Sequence, residues 1–172
     1  ILGLIQIGGL GFITMGMFFS IFLRRKIGLK DRNLIQESVN TLQLGGVVRL
    51  VKKIVFGTLL LEGVGAVILF IRFLPDMGVG EALWNGVFHS VSAFCNAGFD
   101  LMGKYEAYTS LVPYYNDVVV NVVIMGLIII GGIGFIVWDD ITIKKWHVKQ
   151  YRLHTKIVLT ITAILVFGGA LL

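Results

Sequence analysis

The chain has 172 residues, of which 56% are hydrophobic and 15% are charged, with a mean hydropathy of +0.88 and a formal net charge of +5. A soluble domain carries about 25% charged residues, so this composition excludes an ordinary soluble protein and predicts a helical integral membrane protein. The lone cysteine, Cys95, excludes an internal disulfide.

Four apolar segments are candidates for membrane-spanning helices, since a span needs about 20 mostly apolar residues. In chain order they cover residues 1–23, 54–74, 118–138 and 157–172. The sequence begins and ends inside apolar runs, so we expect it to be an internal piece of a longer protein.

The basic residues are concentrated in two loops between these segments. Residues 24–53 hold eight of the fifteen, residues 139–156 hold five, and residues 75–117 hold only Lys104 against five acidic residues. The positive-inside rule places both basic loops in the cytoplasm and residues 75–117 outside. The basic excess therefore indicates topology rather than a nucleic-acid-binding face. Within the first loop, residues 31–42 are typical of an interfacial helix or of a docking surface for a cytoplasmic partner.

Residues 82–94 form an apolar stretch that is too short to cross a membrane. Thirteen helical residues reach about 20 Å, whereas the hydrocarbon core is about 30 Å thick. Because both ends of the external segment lie outside, we expect this half-helix to enter the membrane and return. Such re-entrant backbone is tolerated only where protein or water surrounds it.

Two pairs of segments repeat along the chain. IGGLGFI at 7–13 matches IGGIGFI at 130–136, and RLVKKIV at 49–55 matches RLHTKIV at 152–158. The predicted fold is an all-α membrane protein with parallel repeats of helix, re-entrant pore loop and helix around a central ion pore. Its predicted parts are the last helix of one repeat with a basic loop (1–53), a complete second repeat (54–138), and a cytoplasmic loop with the first helix of a third repeat (139–172).

The segment after the half-helix has the chemistry of a cation site. A helix C-terminus carries a partial negative charge, and backbone carbonyls can replace the hydration shell of a potassium ion. Gly98 suits such backbone because it adopts dihedral angles closed to other residues. The alternative is an ordinary external helix that ends with Gly98 as its C-terminal cap.

These residues also carry a family resemblance. HSVSAFCNAGFDL at 89–101, together with QIGGLGF at 6–12 and IQE at 35–37, resembles the Trk/Ktr/HKT superfamily of potassium transporters, in particular the bacterial KtrB-type membrane subunit. The resemblance implies four repeats in one chain, with Gly98 as the filter glycine of the second. The further carbonyl ligands it implies belong to Cys95, Asn96, Ala97 and Phe99.

The same resemblance implies a function without covalent chemistry, so the chain is not expected to be an enzyme. It implies potassium uptake across the plasma membrane, with K⁺ as the transported ion and Na⁺ as a candidate activator. It also implies a homodimer in the full-length form, surrounded by lipid, and a cytoplasmic ring of nucleotide-binding regulatory subunits. No nucleic acid is expected as a partner.

Several other positions, charged or glycine-rich, are candidates for either a functional or a structural role. Glu62 lies in the middle of the second predicted span, where a carboxylate is a functional candidate, but its repeat mate is Leu165, which favours a structural role. Asp100 is either a vestibule residue that attracts cations or a solvated loop charge. His89 is expected to pack or hydrogen-bond locally. The glycines at 8–11 and 131–134 favour close helix packing over a phosphate-binding loop.

Three rival functions remain. A tetrameric potassium channel built from two-helix subunits would carry TVGYG, which this sequence lacks, and the parallel repeats count against it. An intramembrane hydrolase would need a motif such as GxSxG or HExxH, and neither occurs. A non-conducting scaffold subunit is the third.

Overall fold

A computed structural model describes residues 1–11, 47–104, 107–145 and 147–171. These residues form helices, turns and loops without a strand, which confirms the all-α class. The α-helices of the described residues are α1 (Leu2–Leu10), α2 (Val47–Phe73), α3 (Val79–Phe94), α4 (Val118–Gly132), α5 (Phe135–Lys144) and α6 (Leu153–Leu171). Short 3₁₀ turns occupy Met102–Lys104, Val112–Tyr114 and Val148–Gln150.

Two of these helices are long and apolar enough to cross a membrane, namely Leu50–Phe73 within α2 and Leu153–Leu171; α4 and α5 would make a third only if this bent pair forms one span. Of the first predicted span, residues 1–11 lie in the described part of the chain. The interfacial helix predicted at 31–42 lies outside the described residues.

The helix predicted over 118–138 is interrupted. α4 ends at Gly132 and α5 begins at Phe135, with Gly134 between them at φ 87° and ψ 150°. The matching position of the sequence repeat, Gly11, ends α1 at φ 81° and ψ 131°. Both glycines thus take a left-handed conformation that is unfavourable for residues with a side chain. Hydropathy is continuous through the segment, so composition did not indicate the interruption.

The chain divides into two compact units. The first contains the described residues of Ile1–Gly16 and Lys53–Gly132, and the second contains those of Met17–Lys52 and Ile133–Leu172. In the second unit the buried carboxylate of Asp140 joins the end of α5 to the start of α6. It pairs with Lys144 at 2.9 Å and accepts the Arg152 backbone N–H at 2.8 Å.

In the first unit α3 lies directly against the backbone of α2. A methyl group added at Gly86 would lie 2.8 Å from the Ala66 carbonyl oxygen and 2.9 Å from the Phe70 nitrogen. Close helix packing at a small residue therefore occurs at Gly86, a position outside the glycine segments for which the sequence predicted it. The apolar core beside it consists of Leu69, Phe73, Met77, Ala82, Met102 and Val120.

The end of α2 is tied to the start of α4. Pro75 follows α2 and cannot continue the helical hydrogen bonds, because proline has no N–H. Arg72, in the last turn, pairs with Asp117 and also with Asp76 at 3.2 Å. Asp117 in turn accepts the N–H groups of Val119 and Val120, at 3.0 and 3.1 Å, which caps the N-terminus of α4.

Candidate functional site

The half-helix predicted over 82–94 is α3, which spans Val79–Phe94. Its sixteen residues reach about 24 Å at 1.5 Å per residue, still short of a hydrocarbon core. Glu81 lies in the first turn, where the positive end of the helix dipole favours a carboxylate. Most of the remaining side chains up to Phe94 are buried, so α3 presents its C-terminal end in a fixed position.

α3 ends in a Schellman cap. The Asn96 N–H donates to the Ala93 carbonyl at 3.1 Å and the Ala97 N–H donates to the Ser92 carbonyl at 2.9 Å. These are the two bonds of the Schellman motif, with Asn96 as its left-handed residue at φ 53°. The alternative interpretation of the sequence placed the cap at Gly98. The structure corrects this, because asparagine also tolerates the left-handed region and comes first in the chain.

The cap determines the direction of the first two loop carbonyls. A trans peptide points its C=O opposite to its N–H. Since the N–H groups of Asn96 and Ala97 point back into the last turn of α3, the carbonyls of Cys95 and Asn96 point away from it. Within the described residues, no hydrogen bond ends on a carbonyl oxygen of Cys95, Asn96, Ala97 or Gly98.

The far end of the loop is held differently. Gly98 has a φ of +70°, and in the described part of the chain no heavy atom outside its two neighbours lies within 4 Å of the position its Cβ would occupy. The next carbonyl, that of Phe99, accepts a hydrogen bond from the Ser92 hydroxyl at 2.6 Å. This carbonyl therefore points back towards α3, and one of its two lone pairs is occupied.

Glycines from two helices contact the junction between α3 and the loop. A methyl group at Gly9 of α1 would lie 2.7 Å from the Cβ of Cys95. One at Gly131 of α4 would overlap the Phe94 carbonyl group, whose carbon would be 2.9 Å away. Both glycines come from the repeated IGG sequence, so close packing is the role the structure gives them.

Glu62 is brought next to the loop by the fold. Its carboxylate, 4% exposed, accepts hydrogen bonds from the Gln6 amide at 3.1 Å and from the Cys95 thiol at 3.8 Å. The backbone carbonyl of Glu62 also accepts the Ser90 hydroxyl at 2.7 Å. One residue of α2 thus contacts α1, α3 and the start of the loop. The sequence favoured a structural role for Glu62 but did not indicate these partners.

Asp100 and His89 both bond to the backbone beyond the loop. Asp100, a vestibule candidate, is half-buried and accepts the Met102 N–H at 2.9 Å. The Nδ1 of His89 lies 2.8 Å from the Asn85 carbonyl oxygen, and its Nε2 lies 3.5 Å from the Leu101 nitrogen. His89 and Asp100, with Gly98, also line a cavity of about 250 Å³ beside the loop.

This geometry is that of a capped half-helix followed by backbone oxygens, without a cluster of metal-binding side chains in the described part of the chain. Residues 2–169 match the TrkH family, described as cation transport protein. The chain belongs to the TrkH family.

Several curated proteins resemble this TrkH-family chain. The Potassium/sodium uptake protein NtpJ of Enterococcus hirae is 40% identical over 172 residues, which are 100% of this chain and 37% of that protein. The Ktr system potassium uptake protein B of Bacillus subtilis is 45% identical over 165 residues, or 96% of this chain and 36% of the relative. The protein of the same name in Vibrio alginolyticus is 36% identical over 171 residues, which are 98% of this chain and 36% of that protein. The chain therefore spans little more than a third of the length of these relatives.

TrkH-family membership confirms the resemblance drawn from residues 89–101. It places the chain among transport proteins rather than enzymes and, together with the apolar helices, in the plasma membrane. One residue of the site was not predicted from the sequence: Ser92, which bonds to the loop on both sides of Gly98. Gly131 was predicted to pack closely, but its contact with Phe94 beside the loop was not predicted. The sequence features that could have indicated these two contacts are a small polar residue in the last turn of α3 and the repeated glycine pair.

Proposed function

We propose that the full-length protein takes up potassium ions and that residues 95–99 form one wall of its selectivity filter. Ions would lose water to the carbonyls of Cys95, Asn96, Ala97, Gly98 and Phe99, with Asp100 at the outer vestibule. In this arrangement α3 is the re-entrant half-helix of the second repeat, residues 75–117 lie outside, and the basic loops 24–53 and 139–156 lie in the cytoplasm.

The observation that carries this proposal is the direction of the loop carbonyls. The Schellman cap uses the N–H groups of Asn96 and Ala97 and leaves the carbonyls of Cys95 and Asn96 turned away from α3. Unpaired carbonyls in an apolar setting are costly, and a dehydrated cation satisfies them. The negative end of the α3 dipole at the same place also favours a cation.

Side-chain charge has little part in this arrangement. Residues 95–99 contain no carboxylate. Asp100, which follows them, accepts the Met102 N–H, and Glu62 accepts hydrogen bonds from Gln6 and Cys95. Backbone oxygens that select a weakly hydrated monovalent cation suit the functions for which the relatives are named, potassium uptake and potassium/sodium uptake. Potassium is thus the proposed substrate, with sodium as a second transported ion or an activator.

The proposal extends to the whole protein. Residues 1–53, 54–138 and 139–172 are parts of three successive parallel repeats, and the remaining filter walls come from the other repeats. The full-length protein is a homodimer that binds a cytoplasmic ring of nucleotide-binding regulatory subunits, as the KtrB-type resemblance implies.

The test is Gly98→Asp in the full-length protein. The change adds a Cβ and a negative charge at φ +70°, where the backbone must bend around a bare cation. No heavy atom of the described residues outside its chain neighbours lies within 4 Å of that Cβ position, so the cost to folding is the strain of the left-handed backbone, about 1–2 kcal/mol, and the amount of folded protein should fall little. We expect K⁺ uptake by potassium-depleted cells to fall by about tenfold or more.

The matched control is Gly103→Asp, the same change in open space five residues further along. It should leave uptake within about twofold of the unsubstituted protein, since it lies beyond the proposed filter. Unchanged uptake in Gly98→Asp at equal expression would show that the loop is not the filter.

A further inference from the structure

We infer that Ser92 is a positioning residue for the loop: by holding the Phe99 carbonyl it sets the affinity and cation preference of the filter. This inference rests on the proposed function, because it assigns a role within that filter. Ser92 itself is 3% exposed and lies in the last turn of α3, so it would not contact the ion.

Ser92 forms hydrogen bonds to the loop on both sides of Gly98. Its backbone carbonyl accepts the Ala97 N–H at 2.9 Å, and its hydroxyl donates to the Phe99 carbonyl at 2.6 Å. Between these two points lies Gly98, which has no side chain; apart from its chain neighbours, none of the described residues has a heavy atom within 4 Å of its Cβ position. Among the described residues, the two bonds to Ser92 therefore hold the loop on either side of Gly98.

The second of these bonds determines where the Phe99 carbonyl points. The carbonyl oxygen is held at the Ser92 hydroxyl of α3. Beside it lies the cavity of about 250 Å³, which Ser92, Gly98 and Phe99 all line. Without the hydroxyl, the carbonyl has room to turn and lacks a partner to hold it.

A change in one carbonyl matters because the number and orientation of carbonyl dipoles set the preference of such a filter. The Ser92 hydroxyl occupies one lone pair of the Phe99 oxygen and leaves the other. Removing it would convert an oriented ligand into a mobile one, which binds a cation less tightly because ordering it on binding costs entropy.

The chain offers a matched control in Ser90. Ser90 lies two residues earlier in α3, is fully buried, and donates its hydroxyl to the Glu62 backbone carbonyl at 2.7 Å. Ser90→Ala and Ser92→Ala each remove one buried hydroxyl and one hydrogen bond to a backbone oxygen. Only Ser92 bonds to the loop, so the two variants separate positioning from a general effect on packing.

The experiment measures K⁺ uptake and its competition by Na⁺ in proteoliposomes that contain the full-length protein. Ser92→Ala should raise the KM for K⁺ and lower the preference for K⁺ over Na⁺ by about threefold to tenfold, the range open to one hydrogen bond. The maximal rate of Ser92→Ala per folded molecule should stay near that of Ser90→Ala. The KM of Ser90→Ala for K⁺ and its preference for K⁺ over Na⁺ should match those of the unsubstituted protein. Ser92→Thr retains a hydroxyl and should restore both values.

Equal KM and ion preference in Ser92→Ala and Ser90→Ala would overturn the inference and leave Ser92 as part of the α3 cap alone. The result is distinguishable from failure of the proposed function, in which Gly98→Asp would leave uptake unchanged. If Ser92→Ala yields no folded protein, Ser92→Cys replaces it. The weaker thiol donor should then raise the KM, and an unchanged KM would overturn the inference in the same way.

Discussion

Gly131→Ala should impair ion uptake through a contact that contains no functional side chain. The new methyl group would lie 2.9 Å from the Phe94 carbonyl carbon, about 0.5 Å inside the 3.4 Å at which ordinary van der Waals contact begins. The carbonyl oxygen would be overlapped directly. A backbone group cannot swing aside as a side chain does, so the end of α3 or the end of α4 must move.

The two effects of the substitution on stability oppose each other. Alanine favours a helix over glycine by up to about 1 kcal/mol, and overpacking costs about 1–3 kcal/mol. The net loss is then at most about 3 kcal/mol, which is less than the stability of a typical protein. The displacement of at least about 0.5 Å falls one residue before the loop, and misplacements of this size cost about tenfold in rate where geometry controls the process.

The assay compares Gly131→Ala with Gly126→Ala, five residues earlier in α4, where no heavy atom lies within 4 Å of the added Cβ. In the full-length protein, Gly131→Ala should lower K⁺ uptake about tenfold at an unchanged amount of folded protein, whereas Gly126→Ala should leave it unchanged. Equal uptake in the two variants would refute the reasoning, because the Phe94 contact would then not position the loop.

Three further predictions concern other parts of the chain. A cysteine introduced at Lys145 should react with impermeant thiol reagents only from the cytoplasm, and one at Lys104 only from outside; the opposite pattern would contradict the charge-based topology. The pKa of Asp117 lies below its usual 3.8, first because the Val120 N–H donates to it. The difference in free energy of unfolding between the unsubstituted protein and Asp117→Asn should therefore be constant above about pH 5 and shrink as the pH falls below 3.8. Thermal unfolding in detergent measures this difference, and a difference that does not change with pH would contradict the prediction. Glu62→Leu should lower the unfolding free energy by about 1–3 kcal/mol and Glu62→Gln by less, and equal losses would show that the hydrogen bonds of Glu62 contribute little.

The lengths of the helices could be predicted closely where local chemistry sets their ends. α2 was predicted to end at residue 74 and ends at Phe73, because Pro75 cannot continue it. It begins at Val47 rather than at residue 54, because basic residues such as Lys52 and Lys53 lower the hydropathy without opposing a helix. α3 begins at Val79, three residues before the prediction, because Glu81 interrupts the apolar stretch but is favoured in the first turn of a helix.

The contacts of the loop could not be predicted, because each joins residues that the sequence does not relate. Asn96 and Gly98 both tolerate a left-handed conformation, so composition alone could not decide which caps α3. The partner of Glu62 is Gln6, 56 positions away, and the bond from Ser92 to Phe99 depends on how the chain turns after the cap. The chemistry of the loop was thus accessible from sequence, but the bonds that orient it were not.

Gly11 and Gly134 lie 123 positions apart in matching sequences, and each marks the end of a helix with nearly the same pair of dihedral angles. One short sequence therefore produces one backbone turn at two separate places, which means that the turn is encoded locally rather than imposed by distant neighbours. When such a segment is duplicated within a gene, both copies contain the residues that end an apolar helix. The end of the helix is then conserved in each copy, while the tertiary contacts around it can diverge.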